Sequence, residues 1–234
     1  MSGRVGSITT DIIADGFIFN IDAANRASYP AQRTFTIAES GSCYNTLDLN
    51  QSGSFISDPQ FITQPTSASC WQFDGVDDYI SLDQEFDATN GLTWSSWIKY
   101  DGVGAGLNWL CSNGGTGGVK SQFNTRMIAD GRWFNYYHGS ATYTDITGLN
   151  DGNWHNIVQT LNYSNGDVKF YKDAVVGPTV LTFGSGYTTA IVKQISTSFY
   201  PFKGDIASVQ FYTLTLSANE VLHNYNALKG RFGL

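Results

Sequence analysis

The chain has 234 residues, 41% apolar and 15% aromatic but only 14% charged, with 25 glycines and a formal net charge of −7. That balance describes one all-β domain of short strands and turns; a helical protein would be richer in Glu, Lys, Ala and Leu. The acidic charge argues against nucleic acid, whose phosphates need a basic stripe, and no apolar run is long enough to span a bilayer as a helix.

Residues 1–15 are polar and weakly patterned and read as an N-terminal arm, without the apolar core of a secretory signal. In "GFIFNID" Phe17, Phe19 and Ile21 alternate with Ile18, Asn20 and Asp22, the period of a half-buried strand. Residues 23–68, with Pro30, Pro59 and Pro65, read as loops with short extended pieces. "CWQF" and "YISL" are short strands on either side of Asp74-Gly75-Val76-Asp77-Asp78. In "LTWSSWIKY" Leu92, Trp94, Ser96 and Ile98 share a face and Trp97 lies opposite, as in a central strand packed on two sides.

"DGVGAGLNWLCSNGGTGGVK" sets seven glycines around a strand, "LNWLC". Two hairpins follow, turning at Asp130-Gly131 and Asn165-Gly166, where glycine supplies the positive φ of a tight turn. "IVKQI" is a further short strand, and "GDIASVQFYT" closes the series with Ala207, Val209 and Phe211 inward. One helix stands out: Ser217 and Glu220 form a capping box ahead of Val221, Leu222, Tyr225 and Leu228, with Lys229 and Gly230 suited to its end. Its apolar stripe places it along one edge of the sheets. The expected fold is an all-β, two-sheet antiparallel jelly-roll sandwich over residues 16–234, with one short C-terminal helix.

Cys43, Cys70 and Cys111 are odd in number and lack CxxC spacing, so they read as buried, reduced thiols in a protein assembled in a cytoplasm. Three carboxylates fall within "DGVDD". Calcium takes six to eight oxygens, but glycine stands second here and no glutamate closes the loop, unlike an EF-hand. Asp74 suits an Asx turn and Gly75 a positive φ, so a structural corner is the first reading. A calcium site on Asp74, Asp77 and Asp78 is the second, and Ca2+ is the one cofactor these residues suggest. The aromatics of the first hairpin and the glycine-rich strand, Trp109, Asn113, Arg132, Trp133, Tyr136 and Tyr137, are the candidate contact surface for a glycan or a protein.

The succession "FDGVDDYISL", "LTWSSWIKY", "DGNWHNIVQTLNYSNGDVKFYKDAVVG" and "FKGDIASVQFYTLTLSANEVLHNYNALKGRF" resembles laminin-G-like members of the concanavalin A-like lectin/glucanase superfamily. "GFIFNIDAANRASYP" and "NYNALKGRFGL" resemble openings and endings of virion structural proteins of tailed bacteriophages, particularly cyanophages. The first resemblance implies a sandwich that binds glycans or proteins, carries calcium in several branches and is a glycanase in one. The glycanase branch places E-x-D-x-x-E on one strand. Here the glutamates are Glu39, Glu85 and Glu220, and none can write that motif. Ala207 stands where the family commonly has an acidic residue, which weakens a calcium site on the closing strand. His138, His155 and His223 are isolated, and His155, in the family's W-H motif, reads as a satisfied core histidine.

The expectation is therefore a non-enzymatic virion protein (capsid decoration, fibre or tail-associated subunit) located in particles assembled in the host cytoplasm. It would be present in multiple copies, with capsid or tail proteins and a host-surface glycan as partners and neither nucleic acid nor membrane. The alternative is a soluble carbohydrate-binding module of cellular origin.

Overall fold

A computed structural model describes residues 12–30, 41–63, 68–82, 91–102, 107–112, 124–128, 130–137, 140–182 and 193–234. The chain runs β1 (Phe17–Asp22), β2 (Ser42–Asn45), β3 (Asp48–Ile56), β4 (Gln60–Ile62), β5 (Cys70–Asp74) and β6 (Tyr79–Leu82). It continues through β7 (Leu92–Tyr100), β8 (Leu107–Ser112), β9 (Asn124–Ile128), β10 (Trp133–Tyr137) and β11 (Ser140–Tyr143). Then come β12 (Trp154–Leu161), β13 (Asp167–Lys172), β14 (Val175–Thr182), β15 (Gln194–Ile195), β16 (Lys203–Tyr212) and α1 (Ala218–Leu228). One antiparallel sheet has the order β14-β13-β12-β7-β16-β5-β4, with β1 also on β16; the other is β11-β10-β9-β8-β15-β6-β3-β2. This is the expected two-sheet sandwich. Among the described residues no helix is long and apolar enough to cross a membrane.

Strand parity sets the core. Leu92, Trp94 and Ile98 of β7 point between the sheets, where they join Ile157 and Leu161 of β12 and Val168 and Phe170 of β13. Trp97 points to the opposite face, as its alternation requires, and stacks on Phe232 at 4.0 Å and Tyr225 at 5.6 Å. The C-terminal helix thus covers the outer face of the first sheet rather than lying along an edge, because a second apolar face around Trp97, Tyr212 and Val158 had to be removed from water.

Bulges shift two expected parities. Register slips between Ile206 and Ser208, so Ile206, Val209 and Phe211 enter the main core while Ala207 packs on the outer face. A slip between Phe17 and Phe19 likewise turns Phe17 outward, where it stacks on Tyr212 at 4.7 Å. An extra residue in one strand reverses every parity beyond it. The nine-residue β3, "DLNQSGSFI", falls in the stretch read as loops, since its polar composition carries no apolar alternation.

The capping box forms as read: the Ser217 hydroxyl accepts from the Glu220 N–H, and the Glu220 carboxylate accepts from the Ser217 N–H at 2.7 Å. Two details differ. Leu222 is 47% exposed and Asn224 is buried in its stead, its amide donating to the Tyr212 hydroxyl at 3.0 Å. The helix does not stop at Gly230 but tightens into a 3₁₀ turn over Lys229–Phe232, ending at Gly233 with φ 77°. That extra turn brings Arg231 onto Asp22, with bonds of 2.7 and 2.9 Å.

One end of the sandwich is built from three connections that step between the sheets. Residues 57–59 lead from β3 to β4, 75–78 from β5 to β6, and 196–202 from β15 to β16. Register places them side by side: Ile56 pairs with Tyr79 and Gln60 with Gln72, while Ile80 pairs with Ile195 and Asp74 with Lys203. The turns are sharp, with positive φ at Ser57, Asp58, Gly75 and Ser196.

Candidate functional site

This crossover rim gathers the acidic turn, a second aspartate and an aromatic turn. In the central crossover the Asp74 carboxylate accepts from the Val76 N–H at 2.7 Å, the Asx turn expected from sequence, and Gly75 takes φ 80°. Asp78 reaches back across the turn, its Oδ2 accepting from the Asp74 N–H at 2.9 Å. Asp74, Asp77 and Asp78 each offer an oxygen within 4.8 Å of the others, so this set could hold a cation. Burial, with the charges of Asp74, Asp77 and Asp58, pushes the Asp78 carboxyl up to about 6, against the bond from the Asp74 N–H.

The 196–202 crossover presents aromatics to water. The Ser196 hydroxyl accepts from the Phe202 N–H at 2.9 Å, and the Thr197 hydroxyl accepts from the Tyr200 N–H at 3.0 Å. Phe202 is buried between Phe73 and Tyr100, anchoring the loop. Held in this way, Phe199 is 73% exposed and Tyr200 39%, with the Arg126 guanidinium 5.6 Å from the Tyr200 ring centre. Sequence reasoning passed over "SFYP". Its only signal was two aromatics before a proline, beside strands short enough to make the segment a loop.

The expected contact surface is corrected in one place. Trp133 is 0% exposed and stacks no ligand: its indole N–H donates to the Thr125 hydroxyl at 3.0 Å, and its ring packs on Phe170 and Trp94. The register explains this, since Trp133 pairs with Met127, which faces the core. Arg132 lies at the hairpin turn in an exposed ion pair with Asp130 at 2.7 Å. Trp109 stands in β8, and Tyr136 and Tyr137 stand in β10. Asn113, Glu39, Glu85 and His138 lie outside the described residues, as do residues 1–11 of the arm.

Two other places hold polar groups. His155 lies between carboxylates, Nδ1 at 2.7 Å from Asp173 and Nε2 at 3.1 Å from Asp151, so neither ring nitrogen is left to act as a base. Burial opposes its charge, but Asp173 and then Asp151 outweigh burial and raise its pKa. A cleft of about 280 Å³ opens between the β12–β13 turn and the start of α1, lined by Asn162, Asn165, Asp167, Lys169, Tyr171 and Ser217. Much of its hydrogen-bonding capacity is used internally: Asn162 accepts from Ser164, Asn165 bonds Asp167, and Ser217 caps the helix.

Residues 74–222, more than half of the chain, match the model of the Laminin_G_3 family, described as concanavalin A-like lectin/glucanases superfamily. No curated protein sequence matches. Among solved structures, Trypanosoma rangeli sialidase with the inhibitor DANA superposes with a TM-score of 0.64 at 12% identity, covering 92% of this chain and 33% of the sialidase. The binding domain of botulinum neurotoxin DC, in complex with rat synaptotagmin II, gives 0.65 at 11% identity, covering 91% and 52%. Botulinum neurotoxin type C, whose cell entry is described as dependent upon interaction with two ganglioside molecules, gives 0.64 at 11%, covering 91% and 51%. The chain spans about a third of the sialidase and about half of the neurotoxin chains.

At such identities the likeness is one of fold, and it corrects the expectation that the chain is not an enzyme. The same sandwich occurs within sialidase chains, one of them described as a covalent intermediate. The missing E-x-D-x-x-E strand speaks for one catalytic apparatus only, and fold does not decide activity.

Proposed function

The chain belongs to the concanavalin A-like lectin/glucanases superfamily, and from that premise we propose that it is a lectin-like virion subunit that contacts host-surface glycans through the crossover rim. The observation that carries this reading is the exposed pair Phe199 and Tyr200 on a hydrogen-bonded turn, next to a crossover rich in carboxylates. Sugars lay their C–H faces on aromatic rings, and their hydroxyls donate to carboxylates and accept from guanidinium groups. A turn already held by side-chain hydrogen bonds loses little entropy on binding. The ganglioside dependence of one fold relative and the sialic acid bound to another make saccharides the first ligands to try.

The virion assignment rests on the resemblance of "GFIFNIDAANRASYP" and "NYNALKGRFGL" to tailed-phage structural proteins. These segments meet in the fold through the Asp22–Arg231 pair. On this reading the protein is assembled in the host cytoplasm and located in the particle, fastened to capsid or tail proteins by the arm ahead of Ile12, since Ile12 and Ile13 pack on the chain's own outer face. Many copies would multiply a weak glycan affinity into attachment.

A glycan array tests the ligand class. Selective binding by the full chain, lost in the Phe199→Ala/Tyr200→Ala double variant, is expected; silence across the array, or binding indifferent to both changes, overturns it. Mass spectrometry of purified particles tests the virion part, which absence of the chain from particles would remove in favour of a cellular carbohydrate-binding module.

A further inference from the structure

We propose that the saccharide taken by this rim is a cationic one, a hexosamine with a free ammonium group, which Asp74 and Asp77 grip while its ring lies on Phe199. The inference rests on the glycan reading above and names the class of sugar. An acidic turn alone would not carry it; the state of Asp78 and the exposed ring on the next crossover do. Asp78 is 2% exposed, and while its Oδ2 accepts from the Asp74 N–H at 2.9 Å, its Oδ1 is sealed from solvent without a hydrogen-bond partner. Buried carboxylate oxygens are rarely left without a donor. Asp74 and Asp77 are exposed, and each of the three side chains offers an oxygen within 4.8 Å of the others.

The surroundings add to this charge. Asp58, on the adjoining crossover, is felt at Asp78. Asp101, exposed just after β7, donates its N–H to the Lys203 carbonyl at 3.3 Å. Among the described residues none of these carboxylates is ion-paired with a lysine or arginine. Lys203 borders the turn, and it is its stem that packs on Gly75. Arg126 sets its guanidinium 5.6 Å from the Tyr200 ring centre. Burial, against the Asp74 N–H and with its acidic neighbours, holds the Asp78 carboxyl at about 6, so it is mostly ionised at neutral pH. The unmet demand is for positive charge.

The chemistry of the two crossovers selects the ligand. An ammonium group only donates hydrogen bonds and a carboxylate only accepts them. Bonds between the two are about twice as strong as neutral ones. An ammonium is also drawn to the face of an aromatic ring, and Phe199 is 73% exposed. The pairings Asp74–Lys203 and Ile80–Ile195 set the carboxylate and aromatic crossovers side by side. A hexosamine carries its ammonium on the same ring whose C–H face stacks, so one sugar uses both. Acetylation replaces the cation with a neutral amide. A sialic or uronic acid would bring a carboxylate against the rim's own, a repulsion that rejects it.

Calorimetric titration of the full chain in EGTA compares a glucosamine tetramer, its N-acetylated counterpart, sialyllactose and spermidine. The glucosamine tetramer is expected to bind about tenfold more tightly than the acetylated one. That advantage should shrink in about 0.5 M NaCl, as exposed charges are screened. Sialyllactose should give no heat. The advantage should vanish in the Asp74→Asn/Asp77→Asn double variant, in which asparagine keeps the acceptor for the Val76 N–H. Equal binding of the two tetramers, a preference for sialyllactose, an advantage that survives the double variant, or spermidine binding as tightly as the sugar each overturns the proposal. A neutral glycan held by Phe199 and Tyr200 yet indifferent to both aspartates would overturn this inference alone; no saccharide bound at all would remove the glycan reading with it.

Discussion

Trp133 and Phe199 are both aromatic residues near short strands, yet one is 0% and the other 73% exposed. The difference decides what each substitution does. Trp133→Ala opens a cavity in the core and removes one donor from the Thr125 hydroxyl, which keeps its bond to Gln159 at 2.8 Å, so chemical denaturation should show a loss of about 3–5 kcal/mol. Phe199→Ala touches no core contact and should stay within about 0.5 kcal/mol of wild type, so any binding it loses is a surface effect. Sequence alternation showed that Trp133 lies on one face of its hairpin. It did not say which face was inside, and that depended on the pairing with Met127.

His155 carries a pH prediction. A raised histidine pKa means that protonation stabilises the fold fully below the unfolded value of about 6.5. That stability is lost as pH rises through the higher folded value. Asp173 and Asp151 favour the charge, and Lys172 opposes it. Comparing Tm across about pH 6–9, the wild type should fall more steeply than His155→Gln; parallel curves would refute this. Asp78, at about 6, titrates in both proteins and cancels in the difference.

At the level of elements, the strands whose faces alternate apolar and polar residues were legible, and so was the capped helix. Those that deviate were not. β3 is polar because it pairs near a sheet edge, and the bulge at Ala207 has no composition of its own. Nor does sequence announce that Gly204 must be glycine. Its φ is 142°, and a Cβ there would lie 2.3 Å from the Lys99 carbonyl oxygen on the adjoining strand. Gly204→Ala should therefore cost about 1–3 kcal/mol or more and disturb the start of β16, measurable as a lower Tm. The Asp22–Arg231 pair ties the 3₁₀ turn after α1 to β1, with both side chains at least nine-tenths buried. Removing one partner leaves the other charge unpaired, so Arg231→Ala should cost about 3–5 kcal/mol. A loss below about 1 kcal/mol would show that the clasp is incidental.

For the whole molecule, the sandwich could be read from its ordered strand and turn segments because each is local in sequence. The rim could not, since Asp58, Asp78 and Phe199 come together only when β3, β5 and β15 each step from one sheet to the other at the same end. The acidic turn stood out from composition, but its neighbours did not. The rival recognition surfaces are the polar cleft beside α1 and the β9–β10 hairpin. The most direct test is to titrate isotope-labelled protein with an array-positive glycan and follow backbone amide shifts. The rim account predicts that the perturbed amides cluster in residues 57–60, 74–79 and 196–203; shifts centred on residues 160–171 with 215–218, or on 124–137, would contradict it.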